Sequence, residues 1–174
     1  MKIFLDDIPE ADGLDVDVTE GEDVLNRSFC DGLESLLRFV SPVTGVFHVT
    51  RRKRTLILDL AVKGTLAANC SRCLGEFDYL LDDVSRLTLF AREEGGEEES
   101  DEISDRDYYD GESVDLGALL KEEIALKLPD KPLCSEGCKG LCPNCGKNLN
   151  EGSCACVGED DGGRFGVLKK LKFD

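Results

Sequence analysis

Six of the nine cysteines crowd into residues 133–156, LCSEGCKGLCPNCGKNLNEGSCAC. They come as C-x3-C (Cys134, Cys138), C-x2-C (Cys142, Cys145) and C-x-C (Cys154, Cys156). GLCPNCG has the form of a zinc knuckle, in which two thiolates sit on a tight turn and backbone N–H groups point at the sulfurs; Pro143 and Gly146 tighten that turn. A knuckle supplies two ligands and structural zinc takes four. The completing pair comes from Cys154 and Cys156, from Cys134 and Cys138, or one from each. We expect one structural Zn²⁺ per chain, with Cys142 and Cys145 as its firmest ligands and Cys154 and Cys156 the first choice to complete it. An all-thiolate tetrahedral set suits zinc better than the other common ions, with an iron–sulfur cluster second. A catalytic zinc site keeps one position open for water and places a Glu or His base beside it. Six cysteines overfill such a site, and Asn144, Lys147 and Asn148 supply no base. The expected role is structural.

A further C-x2-C stands apart at Cys70-Ser-Arg-Cys73. It is half of a metal site completed elsewhere, a redox pair whose spacing lowers a thiol pKa, or a feature tied to the fold or a ligand. Thioredoxin-type pairs open a helix. Here a strand follows, which favours the role in fold or ligand. Cys30 borders an apolar helical face and reads as a small buried residue. The single histidine, His48, falls in a predicted strand as a surface or pairing residue. Basic groups that would suit phosphate are Arg51, Arg52, Lys53 and Arg54 at a hairpin, Arg72 in the CSRC turn, and Arg164, Lys169, Lys170 and Lys172 near the C-terminus. Each has a plainer reading: a solvated hairpin tip, or a tail that docks Leu168 and Leu171 on the core.

The elements that must position these groups are mainly strands. MKIFL (1–5) and LDVDVT (14–19) alternate, with Pro9 and Gly13 marking a turn between them. Residues 22–40 place Leu25, Phe29, Leu33, Leu36, Leu37 and Val40 on one helical face, with Gly32 as a weak point. Leu56, Leu58, Leu60, Val62 and Leu66 alternate with Ile57, Asp59, Ala61, Lys63 and Thr65, which predicts a half-buried strand. Val46 to Thr50 forms a hairpin with it through RRKR. The CSRCL turn leads to a third strand within EFDYLLDDVSRLTLFAR (76–92), in which Asp83 and Ser85 break the pattern and suggest a bulge. Residues 93–113 carry eleven acids and one Arg and no apolar period, which predicts a flexible linker. A helix follows, capped by Asp115 and stopped by Pro129, with Leu116, Leu119, Leu120 and Ile124 on one face. The expected fold is α+β: an antiparallel sheet or partial barrel with two or three helices and a C-terminal cysteine-rich zinc-knuckle module. The expected divisions are a β-rich core (1–92), an acidic linker (93–113), a helix plus metal module (114–156) and a basic tail (157–174).

The chain of 174 residues has a net charge of −16. Duplex nucleic acid is held largely by Lys and Arg on phosphates, so this balance argues against wrapping RNA and suits a basic protein partner. No apolar run reaches the roughly 18–20 residues of a membrane span, and MKIFLDDIPEADG lacks the apolar core of a signal peptide. A cytoplasmic protein is expected. That compartment disfavours disulfides and makes paired thiols metal ligands or redox groups.

CSRCL at 70–74, VDLGALLKEEIALKLP, PLC-x3-CKGLCPNCGKNLN and the final CAC, in that order, resemble the YceD family. The likeness covers about residues 45–156, with a similar tail at RFGVLKKLKF. The resemblance implies a non-enzymatic accessory factor for accumulation of 23S ribosomal RNA of the large subunit. Its partner would be a ribosomal RNA precursor or a basic large-subunit ribosomal protein, with no membrane and no small-molecule substrate. Some members lack the cysteine-rich module, so the resemblance turns attention to Cys70, Arg72 and Cys73 as contacts, with Arg51, Arg52 and Arg54 at what reads as the neighbouring hairpin end. The rival readings are a redox-regulated zinc-binding chaperone, which shares the C-x2-C and C-x-C spacings, and a zinc-ribbon transcription adaptor.

Overall fold

The computed structural model describes residues 1–10, 12–32, 36–92, 107–109 and 111–156. The clearest alternation in the sequence becomes the central strand, β5 (Thr55–Asn69). Leu56, Leu58, Leu60, Val62 and Leu66 are fully buried on its inner face. The long antiparallel partners β4 (Val43–Arg52) and β6 (Glu76–Ala91) flank it. β2 (Leu14–Glu20) pairs antiparallel with β4 as one edge, and β7 (Asp107–Tyr109) pairs parallel with β6 as the other. β3 (Leu37–Phe39) takes the stretch of β5 that β4 does not reach, opposite 66–68. The sheet is an open path, and among the described residues no pairing joins β2 to β7. β1 (Lys2–Phe4) and β8 (Ser113–Asp115) form a separate two-stranded sheet. The expected turn between the first two strands therefore leads from one sheet to another.

Two α-helices complete the fold, α1 (Glu22–Phe29) and α2 (Leu116–Lys127). Asp115 caps α2 as its sequence suggests: its Oδ1 accepts from the N–H groups of Gly117 at 3.0 Å and Ala118 at 3.2 Å. Leu116, Leu120 and Ile124 are fully buried. Leu120 lies so close over β4 that a Cβ at Gly45 would stand 2.7 Å from its Cδ1, so a side chain there would have to displace Leu120. Helix and inner sheet face bury one main core with Phe47, Leu25 and Val43.

Three expectations are corrected. The helix predicted over 22–40 stops at Phe29, and Leu37 and Phe39 belong to β3. Gly32 turns the chain with a φ of 75°, and Asn26 fastens the returning strand at both backbone groups of Phe39, at 3.0 and 2.7 Å. Leu33 lies outside the described residues. Nor is there a bulge at Asp83 and Ser85, because the β5–β6 register runs unbroken from Thr55↔Phe90 to Asn69↔Glu76. Both side chains sit on the inward row because α2 offers polar partners there: Ser85 Oγ donates to Glu123 at 2.6 Å and Lys127 to Asp83 at 2.8 Å. Finally, the end of the acidic segment takes part in the fold. Tyr109 of β7 is buried in the core and its hydroxyl donates to the Arg54 carbonyl at 3.2 Å. Residues 93–106 and 110, and the basic tail 157–174, lie outside the described residues.

His48 pairs across the β2–β4 ladder with Asp15 at 2.7 Å, and Cys30 is fully buried, as read from the sequence. Among the described residues no helix is long and apolar enough to cross a membrane.

Candidate metal centres

Eight of the nine cysteines gather into two groups of four, and in each group the sulfurs all lie within 4.8 Å of one another. Group one is Cys70, Cys73, Cys134 and Cys138; group two is Cys142, Cys145, Cys154 and Cys156. The expected completion of the knuckle by Cys154 and Cys156 is the one the geometry gives. Where one site was expected, two groups could hold a metal, because Cys134 and Cys138 lie with Cys70 and Cys73. The turn between β5 and β6 carries Cys70 and Cys73 to the loop after α2. Ser71 N–H donates to the Pro132 carbonyl at 2.8 Å and Leu141 N–H to the Arg72 carbonyl at 3.1 Å.

The sulfurs are spaced for a shared ion. Four thiolates at tetrahedral corners around an ion about 2.3 Å away stand about 3.8 Å apart. Cys70 and Cys138 are separated by 3.7 Å, Cys73 and Cys134 by 3.7 Å, and Cys142 and Cys154 by 3.4 Å. A disulfide would bring a pair to about 2.05 Å. The donor set therefore fits a tetrahedral thiolate-bound metal.

The surroundings favour thiolate at two corners of group one and one corner of group two. Burial works against ionising Cys70, but backbone N–H groups of Cys134, Cys73 and Arg72 converge on its sulfur and bring its pKa down to about 6. The N–H groups of Cys145 and Asn144 do the same for Cys142, which also falls to about 6. Asn150 lowers Cys138 through its side-chain N–H. The crowded neighbours respond oppositely. Cys134, facing the sulfur of Cys138, is pushed up to about 12, and Cys156, facing Cys145, to about 12. Four negative sulfurs in one such cluster call for a cation to offset them.

The two groups differ in setting. In group one Cys70, Cys73 and Cys138 are buried, beside Phe77, Leu133 and Leu141. In group two only Cys142 is buried, while Cys145 and Cys156 are exposed. The short stretch Cys138-Lys139-Gly140-Leu141-Cys142 joins them. Gly140 has a φ of 73°, and a Cβ there would meet the Arg72 carbonyl at 3.1 Å. Arg72 itself is engaged: its guanidinium donates to the carbonyls of Cys138 at 3.0 Å and Glu136 at 3.5 Å.

The basic hairpin lies elsewhere. Arg51 and Arg52 end β4 and Arg54 sits in the turn before β5, whereas the CSRC turn follows the far end of that fifteen-residue strand, up to about 45 Å away. The expected neighbourhood of Arg72 with these arginines is therefore overturned. Arg51 also serves the fold, donating to the Leu5 carbonyl at 3.1 Å and the Lys53 carbonyl at 3.3 Å. Arg52 is exposed at the hairpin end. Sequence reading missed Asn150, whose amide reaches Cys138. The available signal for two sites was arithmetic: four cysteine pairs make two complete sets of four.

Comparison with known proteins gives a consistent picture. The family model for "Large ribosomal RNA subunit accumulation protein YceD" matches residues 58–172, which include all eight clustered cysteines. A chloroplastic protein of Arabidopsis thaliana, named large ribosomal RNA subunit accumulation protein YCED homolog 1, is 27% identical over 157 residues, covering 76% of this chain and 49% of that protein. Protein Rv2926c of Mycobacterium tuberculosis is 34% identical over 92 residues, covering 51% and 44% respectively. YlbN of Bacillus subtilis is 29% identical over 119 residues, covering 67% and 66%. The chain thus spans about half the length of the first two of these relatives. No solved structure gives a significant match.

Proposed function

The chain belongs to the YceD family, and from that premise we propose that it promotes accumulation of large-subunit (23S) ribosomal RNA by binding an assembly intermediate, without catalysing a reaction. The match over residues 58–172 carries this reading. Closed four-thiolate sites support a binding role, since they leave no coordination position for a substrate. The ion is zinc, which suits an all-sulfur tetrahedron and brings no redox chemistry of its own. When bound it supplies charge compensation and cross-linking. The residues do the rest: Cys70, Cys73, Cys134 and Cys138 fix the loop after α2 to the sheet, and Cys142, Cys145, Cys154 and Cys156 close the terminal loop on itself.

The intermediate is engaged through a ribosomal RNA precursor or a basic large-subunit ribosomal protein. The exposed hairpin end around Arg52 suits phosphate. The acidic balance of the chain, −16 overall, suits a basic protein. Two measurements test the proposal. Cells lacking the protein should show reduced 23S rRNA relative to 16S, restored by the intact gene; unchanged 23S levels would remove the reading. A tagged pulldown, repeated after nuclease treatment, separates the partners, because an RNA-held complex falls apart and a protein-held one survives.

One observation favours a second reading, a redox-regulated zinc chaperone: Cys145 and Cys156 of group two are exposed and open to oxidants. Peroxide treatment that releases zinc and produces anti-aggregation activity would put this reading ahead.

A further inference from the structure

Group two closes the loop between Cys145 and Cys154, yet a side chain from within that loop reaches group one. Asn150 Nδ2 stands 3.3 Å from Cys138 Sγ, and Asn150 Oδ1 accepts the Lys139 N–H at 2.8 Å. The amide thus grips a sulfur of group one and the backbone of the stretch that links the groups. Its own position is set by the loop. Asn148 Oδ1 accepts from Asn150 Nδ2 at 2.9 Å and from Asn150 N–H at 3.1 Å. Asn148 Nδ2 donates to Glu151 at 2.9 Å. Leu149 N–H donates to the Gly140 carbonyl at 2.9 Å, and Cys142 N–H to the Lys147 carbonyl at 2.8 Å.

We propose that Asn150 couples the two metal centres, so that filling the Cys142–Cys145–Cys154–Cys156 group tightens metal binding at Cys70–Cys73–Cys134–Cys138. This inference rests on the metal reading above. A dication among four thiolates leaves a double negative charge on the sulfurs, and each N–H aimed at them offsets part of it. Outer hydrogen bonds of this kind typically carry 10–100-fold in metal affinity. A loop that wanders when group two is empty presents that donor only part of the time. The loss of affinity at group one then equals the loss of the donor. By linkage the effect is mutual: metal at group one holds Asn150 and so favours the loop geometry that group two requires.

The experiment uses the full chain, stripped of metal under reducing conditions and titrated with cadmium against a chelator. Cadmium NMR gives each four-thiolate site its own resonance. Cys145→Ser with Cys156→Ser abolishes group two and should weaken group one by about tenfold or more. Asn150→Ala should weaken group one by the same factor with group two intact. Adding Asn150→Ala to the paired serine change should then cost nothing further. Asn150→Asp separates donation from mere loop folding. It keeps an oxygen for Lys139 N–H and places a carboxylate against the thiolates, so it should weaken group one more than Ala does. Equal group-one affinity with and without group two overturns the coupling, as does an Asn150→Ala effect that multiplies with it or an Asn150→Asp variant that binds like the parent. Failure of the parent to show any cadmium resonance overturns the metal assignment as well, which distinguishes the two failures.

Discussion

The two sulfur groups share a chemistry and differ in what they tie together. Group one joins residues 61 apart in the chain at its Cys73–Cys134 contact; group two joins residues 12 apart at Cys142–Cys154. Closing the longer loop removes more freedom from the unfolded chain, by about 1.4 kcal/mol from the ratio of the two lengths. Three of the four sulfurs of group one are buried beside Phe77, Leu133 and Leu141, and its turn belongs to the main sheet. Among the described residues, the hydrogen bonds around group two come from its own loop and the linking stretch. With metal bound, the same four-thiolate unit would act as a clamp on the whole fold in one place and as a local knot in the other.

Removing metal from both groups should have the largest effect. A strong chelator under reducing conditions should release two ions per chain and lower the melting temperature, read by circular dichroism with elemental analysis of the filtrate. Release of a single ion would break the comparison. Next in size, Cys70→Ser and Cys154→Ser should each cost one ion, but with unequal results. Cys70→Ser should lower the unfolding free energy in urea by about 1.4 kcal/mol more than Cys154→Ser does. Cys154→Ser should expose residues 142–156 to proteolysis while the sheet stays protected in hydrogen exchange. Equal losses would mean that group one constrains the fold no more than group two does.

Arg72→Ala should cost about 1–2 kcal/mol, since it strips donors from the carbonyls of Cys138 and Glu136. Arg72→Lys should recover little, because one ammonium cannot reproduce the fork of the guanidinium. This variant sharpens the comparison: metal affinity should fall at group one before group two. The smallest effect belongs far from both groups. The Arg86–Asp59 pair on the outer sheet face has bonds of 2.6 and 3.1 Å but is solvent-exposed. Asp59→Asn should leave the melting temperature and metal content unchanged, as exposed ion pairs generally do.

Much of the sheet was legible because burial on one face writes a period of two. Leu56 through Val62 announced β5, and Asp115 and Pro129 marked the limits of α2. What could not be read was partnership. Leu37 continues an apparent helical face, and only the stretch of β5 that β4 leaves open near Leu66 draws it and Phe39 into a strand. Asp83 and Ser85 look like errors in a strand until Lys127 and Glu123 arrive from a helix some forty positions later. The cysteine pairs behaved likewise. Spacing says that two sulfurs share a turn but not which other turn they meet, so Cys70 and Cys73 are open to reading as half a site, a redox pair or a feature of fold or ligand. Asn150 left no signal at all, because an asparagine in a polar loop is what any loop contains.

The length of β5 has a mechanical consequence. One strand runs without a break from the basic hairpin to the CSRC turn, hydrogen-bonded along its whole span to β6 and on its other side to β4 and then β3. Bending it would sever ladder bonds on both flanks, so it behaves as a strut. The separation between Arg52 and the CSRC turn is thereby held constant, at up to about 45 Å of strand, and a partner that touches both ends must span it. A pair of spin labels at the two ends should report one narrow distance, in the presence or absence of metal at group two.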